Sequence, residues 1–493
     1  MEHPEEIDLA TATLAGLREQ LAAGRTTSER LTQRYLDRIG AVNSHGPGLH
    51  AVQVLAPDAL EQARLRDVER ANGEVGGPLH GIPVLVKDNI DVAGLPTTAG
   101  SLALAGSVPA VDAPVVARLR AAGAVVLGKT TLTELANFTT EGMPSGYSSL
   151  AGQVLNPYDA SRTPSGSSAG SAVAAAVALA AMTVGTETSG SILSPAEACS
   201  VVGVKPTVGL ISRTGIVPIS ATQDTAGPMA RCVADAAALL GAMTGLDPED
   251  PATAAAPCAG IDYLAALATT ALQGARLGFV ASEDRVFAAA LDVLRARGAV
   301  LVEVQVGLTD APSILTREFR RDLESYLARL PRGAPIRTLA QLVAFNTAHR
   351  GTALKFGQTL LEASLAVDLA DPATAAAYAS DREQGLTESR SAIDSVLEAQ
   401  GLAAIVSASA TTVVGARAGY PSVSVPAGYR DSDRRPVALV FLGTAWTEAT
   451  LLALAHDYER AAQVWLPPAE VNPSLFRGTA VAAAPTADGP EPP

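Results

Sequence analysis

The sequence carries two serine-rich loops, Ser165-Gly166-Ser167-Ser168-Ala169-Gly170-Ser171 and Gly185-Thr186-Glu187-Thr188-Ser189-Gly190-Ser191-Ile192, joined by an apolar, alanine-rich segment. Loops of glycine and serine are usually flexible turns or linkers. These two are flanked by apolar residues, so we expect them to be embedded in the core. Small residues let the backbone approach a ligand closely, and a buried loop must satisfy its backbone amides. The two loops therefore indicate a chemical site.

A lone lysine lies upstream, in the apolar run Pro83-Val84-Leu85-Val86-Lys87-Asp88. A serine hydroxyl is a weak nucleophile at neutral pH, so a base must take its proton. None of the six histidines lies within the serine-rich loops, although a Ser-His-Asp triad is defined by geometry and stays open on sequence alone. Lysine is a base only when neutral, and burial lowers its pKa from about 10.4 by several units. The alternative interpretation of Lys87 is an edge residue or an ion pair with Asp88.

The lysine and the two loops together resemble the amidase signature family of serine hydrolases, and most closely its bacterial peptide amidase branch. Lys87 falls on the catalytic lysine of that family, and Ser191 falls on the nucleophile. Ser167 falls on the bridging serine, whose preceding peptide bond is cis in the family. The resemblance covers most of residues 8–466 and continues through Gly203-Val204-Lys205-Pro206-Thr207-Val208-Gly209-Leu210, Gln223-Asp224-Thr225-Ala226-Gly227-Pro228 and Gly419-Tyr420-Pro421-Ser422-Val423-Ser424-Val425-Pro426-Ala427-Gly428.

The resemblance implies an α/β fold, the amidase signature fold, with a large mixed β-sheet core covered by helices. The alternation of helical and strand patterns between residues 82 and 127 agrees with that class. We expect a single amidase domain over residues 1–477. Its more variable section, 245–400, is expected to form part of the substrate cleft, and the tail at 478–493 is expected to be disordered.

The resemblance also implies roles for the site residues. Ser191 attacks the amide carbonyl and forms an acyl-enzyme, while Ser167 relays the proton between Ser191 and Lys87. The backbone amides that we expect to form the oxyanion hole are those of Thr188, Ser189, Gly190 and Ser191. No metal or cofactor is needed for this chemistry.

Three residues depart from the family pattern. Many members have Asp where this chain has Glu187, and Gly where it has Ser189. The peptide amidase branch usually has Asp at the position of Ser189. Most members have Arg two residues after the nucleophile, where this chain has Leu193. These departures leave open a damaged site, a changed substrate range, or Ser189 as a competing nucleophile.

The expected activity is hydrolysis of C-terminal peptide amides or amino-acid amides. Four alternatives stay open: a broad aryl or aliphatic acylamidase and esterase, the amidase component of the transamidosome that makes glutaminyl-tRNA, an amide-forming biosynthetic enzyme, and an inactive binding protein. The first is separated from the peptide amidase by comparing anilides with amino-acid amides.

Composition excludes some classes of function. The chain has 493 residues, a formal net charge of −14 and 48% hydrophobic residues, much of them alanine. Nucleic-acid binding requires a basic surface, so we expect no nucleic-acid partner. The most apolar stretch, Ala172–Met182, is too short to span a bilayer and is predicted to be a buried helix.

The remaining expectations concern compartment, thiols and assembly. The acidic start of the chain is not a signal peptide, which predicts a cytoplasmic protein, with a removed signal as the alternative. Cys199, Cys232 and Cys258 are expected to be free thiols. The oligomeric state, monomer or homodimer, stays open. Gln153, Asn156 and Asp224 are candidates for supporting the site.

Overall fold

The structure, a computed structural model, describes residues 7–257, 261–307 and 310–477. The predicted tail at 478–493 and Cys258 lie outside the described residues. Cys199 and Cys232 are both free thiols, as predicted.

The strands within the described residues fall into one large sheet and one small hairpin. They are β1 (Val52–Leu55), β2 (Pro83–Lys87), β3 (Val125–Thr130), β4 (Tyr147–Ser148), β5 (Gly152–Gln153), β6 (Met182–Glu187), β7 (Val202–Lys205), β8 (Thr225–Ala230), β9 (Arg276–Phe279), β10 (Val300–Glu303), β11 (Ala404–Ser407), β12 (Ser422–Tyr429) and β13 (Pro436–Leu442).

Helices cover the large sheet. They are α1 (Leu14–Ala22), α2 (Ser28–Ile39), α3 (Ala59–Ala71), α4 (Pro114–Ala121), α5 (Glu134–Asn137), α6 (Ala169–Ala176), α7 (Leu193–Ala198), α8 (Val233–Met243), α9 (Arg285–Ala296), α10 (Leu315–Arg329), α11 (Leu339–Ala348), α12 (Arg350–Ala353), α13 (Thr359–Leu365), α14 (Pro372–Gln400), α15 (Thr412–Ala418), α16 (Glu448–Ala462) and α17 (Pro468–Val471). Short 3₁₀ or π turns occupy Gly40–Ser44, Leu102–Leu104, Pro251–Ala255 and Pro473–Phe476.

The large sheet has eleven strands in the order β1-β3-β2-β6-β8-β7-β12-β13-β11-β9-β10 within the described residues. β2 is parallel to both β3 and β6, and β9 is parallel to both β10 and β11. The other neighbouring strands are antiparallel. The predicted α/β fold with a large mixed sheet is therefore confirmed. The assignment of residues 1–477 to a single domain stays a prediction.

The central strands are buried over their whole length because helices pack on the sheet. Every residue of β2, β3 and β6 is buried, and so is every residue of α6. Small side chains fill α6, with sequence AGSAVAAA, and this lets it pack closely on β6.

The prediction of one buried helix over Ala172–Met182 is wrong in its second half. α6 ends at Ala176, and Ala178 has a φ of 55°. That left-handed residue turns the chain so that Met182 begins β6, which pairs with β2. The apolar run thus contains a helix, a turn and the start of a strand, which hydrophobicity alone does not separate. No helix of the described residues has both the length and the apolar character of a membrane span.

Candidate active site

The ends of the central strands bring the two serine-rich loops and the lysine to one edge of the sheet. Lys87 is the last residue of β2, and Glu187 is the last residue of the parallel strand β6. β8 runs antiparallel, and its first residue, Thr225, lies opposite Glu187. Asp88, the loop 188–192 and Asp224 therefore leave the sheet at the same edge, where open α/β sheets bind their ligands.

The amine of Lys87 is surrounded by neutral oxygen atoms. Lys87 is fully buried, and its Nζ lies 2.8 Å from Ser167 Oγ and 2.9 Å from Ser168 Oγ. The other two partners belong to Thr186, whose Oγ1 is at 2.8 Å and whose carbonyl oxygen is at 3.2 Å. The alternative interpretation of Lys87 as the ion-pair partner of Asp88 is wrong, because that carboxylate pairs with Lys129.

This environment favours the neutral amine. Burial lowers the pKa of Lys87 to about 7, although the charges of Asp224 and Glu187 act in the opposite direction. Desolvation disfavours the ammonium form, and none of the partners within hydrogen-bond distance is an anion. A large fraction of Lys87 is therefore uncharged at neutral pH, with a lone pair able to accept the proton of Ser167.

Backbone hydrogen bonds hold the first serine-rich loop against the second. The peptide bond between Gly166 and Ser167 is cis, as the resemblance implies. The Ser167 carbonyl accepts the N–H of Thr133 at 3.0 Å, and the Ser168 N–H donates to the Ser191 carbonyl at 3.0 Å. The second bond brings the backbones of the two loops together, so that Ser167 and Ser191 belong to one site.

The two serines of the second loop differ in their surroundings. The side chain of Ser189 is exposed at the tip of the loop, whereas Ser191 is 8% exposed. Within the described part of the chain, Ser191 Oγ makes no hydrogen bond, and its carbonyl is fixed by Ser168. Ser191 is thus the better enclosed of the two serines in the second loop.

Glu187 organises the loop that carries Ser191, a role that sequence patterns did not predict. Its Oε1 accepts the N–H of Gly190 at 2.8 Å. Its Oε2 accepts the N–H groups of Ile192 at 2.7 Å and Leu193 at 3.0 Å. Position 193, where most family members have Arg, thus holds the buried, apolar side chain of Leu193, and the backbone N–H of Leu193 donates to the carboxylate of Glu187.

This arrangement corrects the predicted oxyanion hole at one position. The Gly190 amide is already used by Glu187 and is not free to bind an oxyanion. No hydrogen bond among the described residues uses the amides of Thr188, Ser189 or Ser191. The candidate oxyanion hole consists of these three amides, and Gly190 supplies the turn, with a φ of 83° that favours glycine.

Asp224, one of the predicted supporting residues, holds Thr188 in place. Its Oδ1 accepts the hydroxyl of Thr188 at 2.5 Å, and its Oδ2 accepts the N–H groups of Ile219 and Ser220 at 2.8 and 2.9 Å. Burial raises the pKa of Asp224 to about 6. The other two predicted supporting residues bind backbone groups of nearby segments: Gln153 donates to the Ser145 carbonyl, and Asn156 accepts the N–H of Tyr158.

Histidine is not the base of this site in the described residues. His80, the histidine nearest to Lys87 in sequence, is buried, and its ring nitrogens contact Gly76 N and Arg66 O. The other histidine rings of the described chain contact backbone carbonyls or Glu459. None of these rings contacts a serine hydroxyl, whereas the amine of Lys87 does.

A cavity of about 260 Å³ begins beside the second loop. Its inner wall includes Asn89, Thr186, Thr188 and Asp224, and its middle is lined by the apolar segment 216–219. The outer part includes residues 249–251, within the section predicted to form part of the cleft. The lining includes Thr186 and Thr188 but not Ser191, so the cavity lies next to the loop that carries Ser191.

One face of α10 forms the opposite wall of the cavity. Its lining residues are Asp322, Ser325, Tyr326 and Arg329, which recur at the three- and four-residue spacing of a helix face. The hydroxyl of Tyr326 donates to Asp91 at 2.8 Å, which fixes its ring in the wall. Within the described residues, no group of three or more His, Cys, Asp and Glu side chains is arranged to hold a metal ion.

Comparison with known proteins agrees with this geometry. The family model Amidase matches residues 30–407. A probable amidase from Arabidopsis thaliana is 42% identical, with 93% of this chain and 91% of the relative covered. A putative amidase from Schizosaccharomyces pombe is 34% identical, with 92% and 86% covered. The crystal structure of a native peptide amidase from Stenotrophomonas maltophilia is 45% identical, with a TM-score of 0.89 and with 93% and 98% covered.

The chain belongs to the amidase family, and its fold is the amidase signature fold. It is an amidase, a hydrolase of carboxamide bonds, as its sequence predicts.

Proposed function

We propose that Ser191, Ser167 and Lys87 form a Ser-Ser-Lys triad that hydrolyses C-terminal peptide amides or amino-acid amides. The observation that carries this proposal is the 2.8 Å distance between Lys87 Nζ and Ser167 Oγ. It lies in a buried site where neutral oxygens surround the amine and where burial lowers its pKa to about 7.

The reaction proceeds by proton transfer in two directions. Ser191 Oγ bonds to the carbonyl carbon as its proton passes to Ser167 Oγ, and the proton of Ser167 passes to Lys87 Nζ. The oxyanion accepts hydrogen bonds from the free amides of the loop 188–191. The carbon–nitrogen bond breaks as the proton returns through Ser167 to the leaving nitrogen. Ammonia departs, and Ser191 is left as an acyl ester.

Water then completes the cycle by the same route. It loses a proton through Ser167 to Lys87 as its oxygen bonds to the acyl carbon. The proton returns to Ser191 as the ester bond breaks, and the carboxylic acid is released. One base thus serves both half-reactions, as in other acyl-enzyme mechanisms.

The substrate class is supported by the relatives and by the cavity. The peptide amidase from Stenotrophomonas maltophilia is 45% identical over most of both chains. The cavity beside Thr188 combines the apolar segment 216–219 with polar groups at its inner and outer ends, a lining suited to an amino-acid side chain next to a carboxamide. A broad acylamidase–esterase and an amide-forming enzyme are the alternatives that the test must separate.

The test is ammonia release from a panel of peptide amides and amino-acid amides, with anilides and esters beside them. Ser191→Ala should abolish release, and Ser189→Ala is the matched control because Ser189 lies exposed in the same loop. The proposal predicts retained release in the control. Release only from anilides or esters would overturn the substrate class, and release by Ser191→Ala would overturn the triad.

A further inference from the structure

A second buried lysine lies on the strand next to Lys87 and has a different kind of partner. Lys129 is on β3, which pairs in parallel with β2, and its register partner is Val86. Its Nζ lies 3.3 Å from Asp88 Oδ1, 3.2 Å from the Pro96 carbonyl and 3.1 Å from Thr97 Oγ1. Three acceptors match the three protons of an ammonium group. Lys129 and Asp88 are both fully buried.

Asp88 follows Lys87 directly in the sequence, so its carboxylate is the first candidate for a counter-ion of that lysine. Lys87 is the last residue of β2, and Asp88 is the first residue after the strand. Lys129 is the register partner of Val86, so its side chain lies on the face of the sheet opposite to that of Lys87, because successive side chains of a strand alternate between the two faces. Lys129 and the hydroxyl of Thr98 both bind the Asp88 carboxylate. The carboxylate is therefore held on the far side of the strand, and Lys87 is left with the neutral oxygens of Ser167, Ser168 and Thr186.

We propose that Lys129 is a positioning residue of the reaction: by pairing with Asp88 it cancels the charge of the carboxylate beside Lys87 and so keeps the catalytic lysine free of a counter-ion. This inference rests on the proposed function of Lys87 as the base. It assigns the two buried lysines opposite tasks, one that holds a carboxylate and one that exchanges a proton with Ser167.

The charges around the pair agree with this division. Burial lowers the pKa of Lys129 and raises that of Asp88, and their mutual attraction opposes both changes. Whether the shared proton sits on nitrogen or on oxygen, the pair has no net charge. Without its partner, each member is charged over a narrower pH range, but where it is charged, nothing compensates that charge in the neighbourhood of Lys87.

Other titratable groups face this region and stay unchanged in the test. Asp224 and Glu187 face Lys87, and Glu187 also faces Lys205. Asp91 acts on Lys129, and burial raises the pKa of Asp91 to about 6. Tyr326 lies beside Asp91 and Asp88. Because these groups are common to every variant, a difference between variants reports the Asp88–Lys129 pair.

The experiment compares the pH dependence of kcat/KM for a peptide amide in four proteins. Lys129→Met leaves an unpaired carboxylate, which stabilises protonated Lys87 and should move the apparent pKa upward by about one unit. Asp88→Asn, a nearly isosteric change, leaves an unpaired ammonium and should move it downward. The double variant removes both charges and should return the profile to that of the wild type.

Two controls keep the outcomes distinct. The first control is Asp457→Asn. Asp457 is also a buried carboxylate and pairs with Arg297 at 2.8 Å, so this change breaks an ion pair elsewhere and should leave the pH profile of kcat/KM unchanged. If Lys129→Met does not fold, Asp88→Asn alone decides. The pH dependence of Ser191 labelling by a fluorophosphonate gives a second readout without substrate binding.

Opposite shifts that cancel in the double variant support the positioning role, because a merely structural role gives loss of activity without a signed shift. Profiles that keep the wild-type apparent pKa in both folded single variants overturn it. A wild-type enzyme without Ser191-dependent activity would instead overturn the proposed function itself, so the two failures are distinguishable.

Discussion

Glu187 should be required for the shape of the loop that presents Ser191. The change is Glu187→Gln, which keeps the size of the side chain but replaces one carboxylate oxygen with an amide NH₂. In the wild type the two oxygens accept three backbone N–H groups, from Gly190, Ile192 and Leu193. A Gln side chain has one carbonyl oxygen, so at least one of these amides must face a donor instead of an acceptor.

The magnitude follows from that count. A hydrogen bond to a charged group contributes about 1.5–3 kcal/mol, and an unsatisfied buried donor costs a similar amount. If the carbonyl keeps Ile192 and Leu193, the loss is the Gly190 bond, so the loop should be destabilised by about 1.5–3 kcal/mol. If that amount is lost from the reactive conformation, kcat/KM falls by about 13- to 160-fold.

The assay is ammonia release from a peptide amide together with the free energy of unfolding. The matched control is Glu448→Gln, because Glu448 is also buried and accepts a backbone N–H, from Thr207 at 2.7 Å, but lies outside the Ser191 loop. We expect Glu448→Gln to lower stability with little effect on kcat/KM. A Glu187→Gln enzyme with wild-type kcat/KM would show that the reactive loop does not depend on this carboxylate.

Three further predictions follow from the base and the cavity. Because Lys87 must be neutral, kcat/KM should rise with pH up to about 7 and then level off; a profile flat from pH 5 to about 9 would contradict this. Because the pKa of Lys87 is lower in the folded protein than in the unfolded chain, the unfolded chain binds the proton more tightly. The free energy of unfolding contributed by Lys87 should therefore increase as the pH rises from about 7, its pKa in the folded protein, to 10.5, its ordinary pKa. Ser325→Trp should fill the cavity and raise KM for peptide amides about tenfold or more, while Ala328→Trp, an exposed position on α10 outside the cavity, serves as its control. Equal KM values in these two variants would remove the cavity from substrate binding.

The candidate residues of the site could be predicted from the sequence because they lie in short motifs that resemble those of a known family. Ser167 and Ser191 were predicted from their own serine-rich loops, whereas Lys87 was identified only together with those loops, through the family resemblance. The structure brings the strand end and the two loops together. The mixed sheet followed from the same resemblance. Confirmation of the triad itself depends on the experiments above.

The groups that tune these residues were missed because they depend on contacts between distant segments. The pairing of Asp88 with Lys129 requires the parallel register of β2 and β3. The capture of the Gly190 amide by Glu187 requires the turn geometry of the loop, which changes which amides remain free. A signal for Lys129 was available, since it is a lysine within the apolar run Val125–Thr130, but its partner was not.

The cavity was also out of reach of sequence patterns. Its walls come from the segment 213–219, from residues 249–251 and from one face of α10. Helical spacing predicts that the residues of α10 share a face, but not which neighbour that face meets. The early end of α6 was missed for a different reason: a single left-handed residue, Ala178, separates the helix from the strand, and the apolar sequence does not mark that residue.

Trapping the acyl-enzyme tests the role of Ser191 most directly. A slowly deacylating ester is mixed with the enzyme, the reaction is quenched with acid, and the modified peptide is mapped by mass spectrometry. We predict one acyl group on Ser191 and its loss in Lys87→Met, where the buried base is replaced by a side chain of similar length. An acyl group on Ser189, or turnover without any acyl group on the chain, would contradict the Ser-Ser-Lys triad.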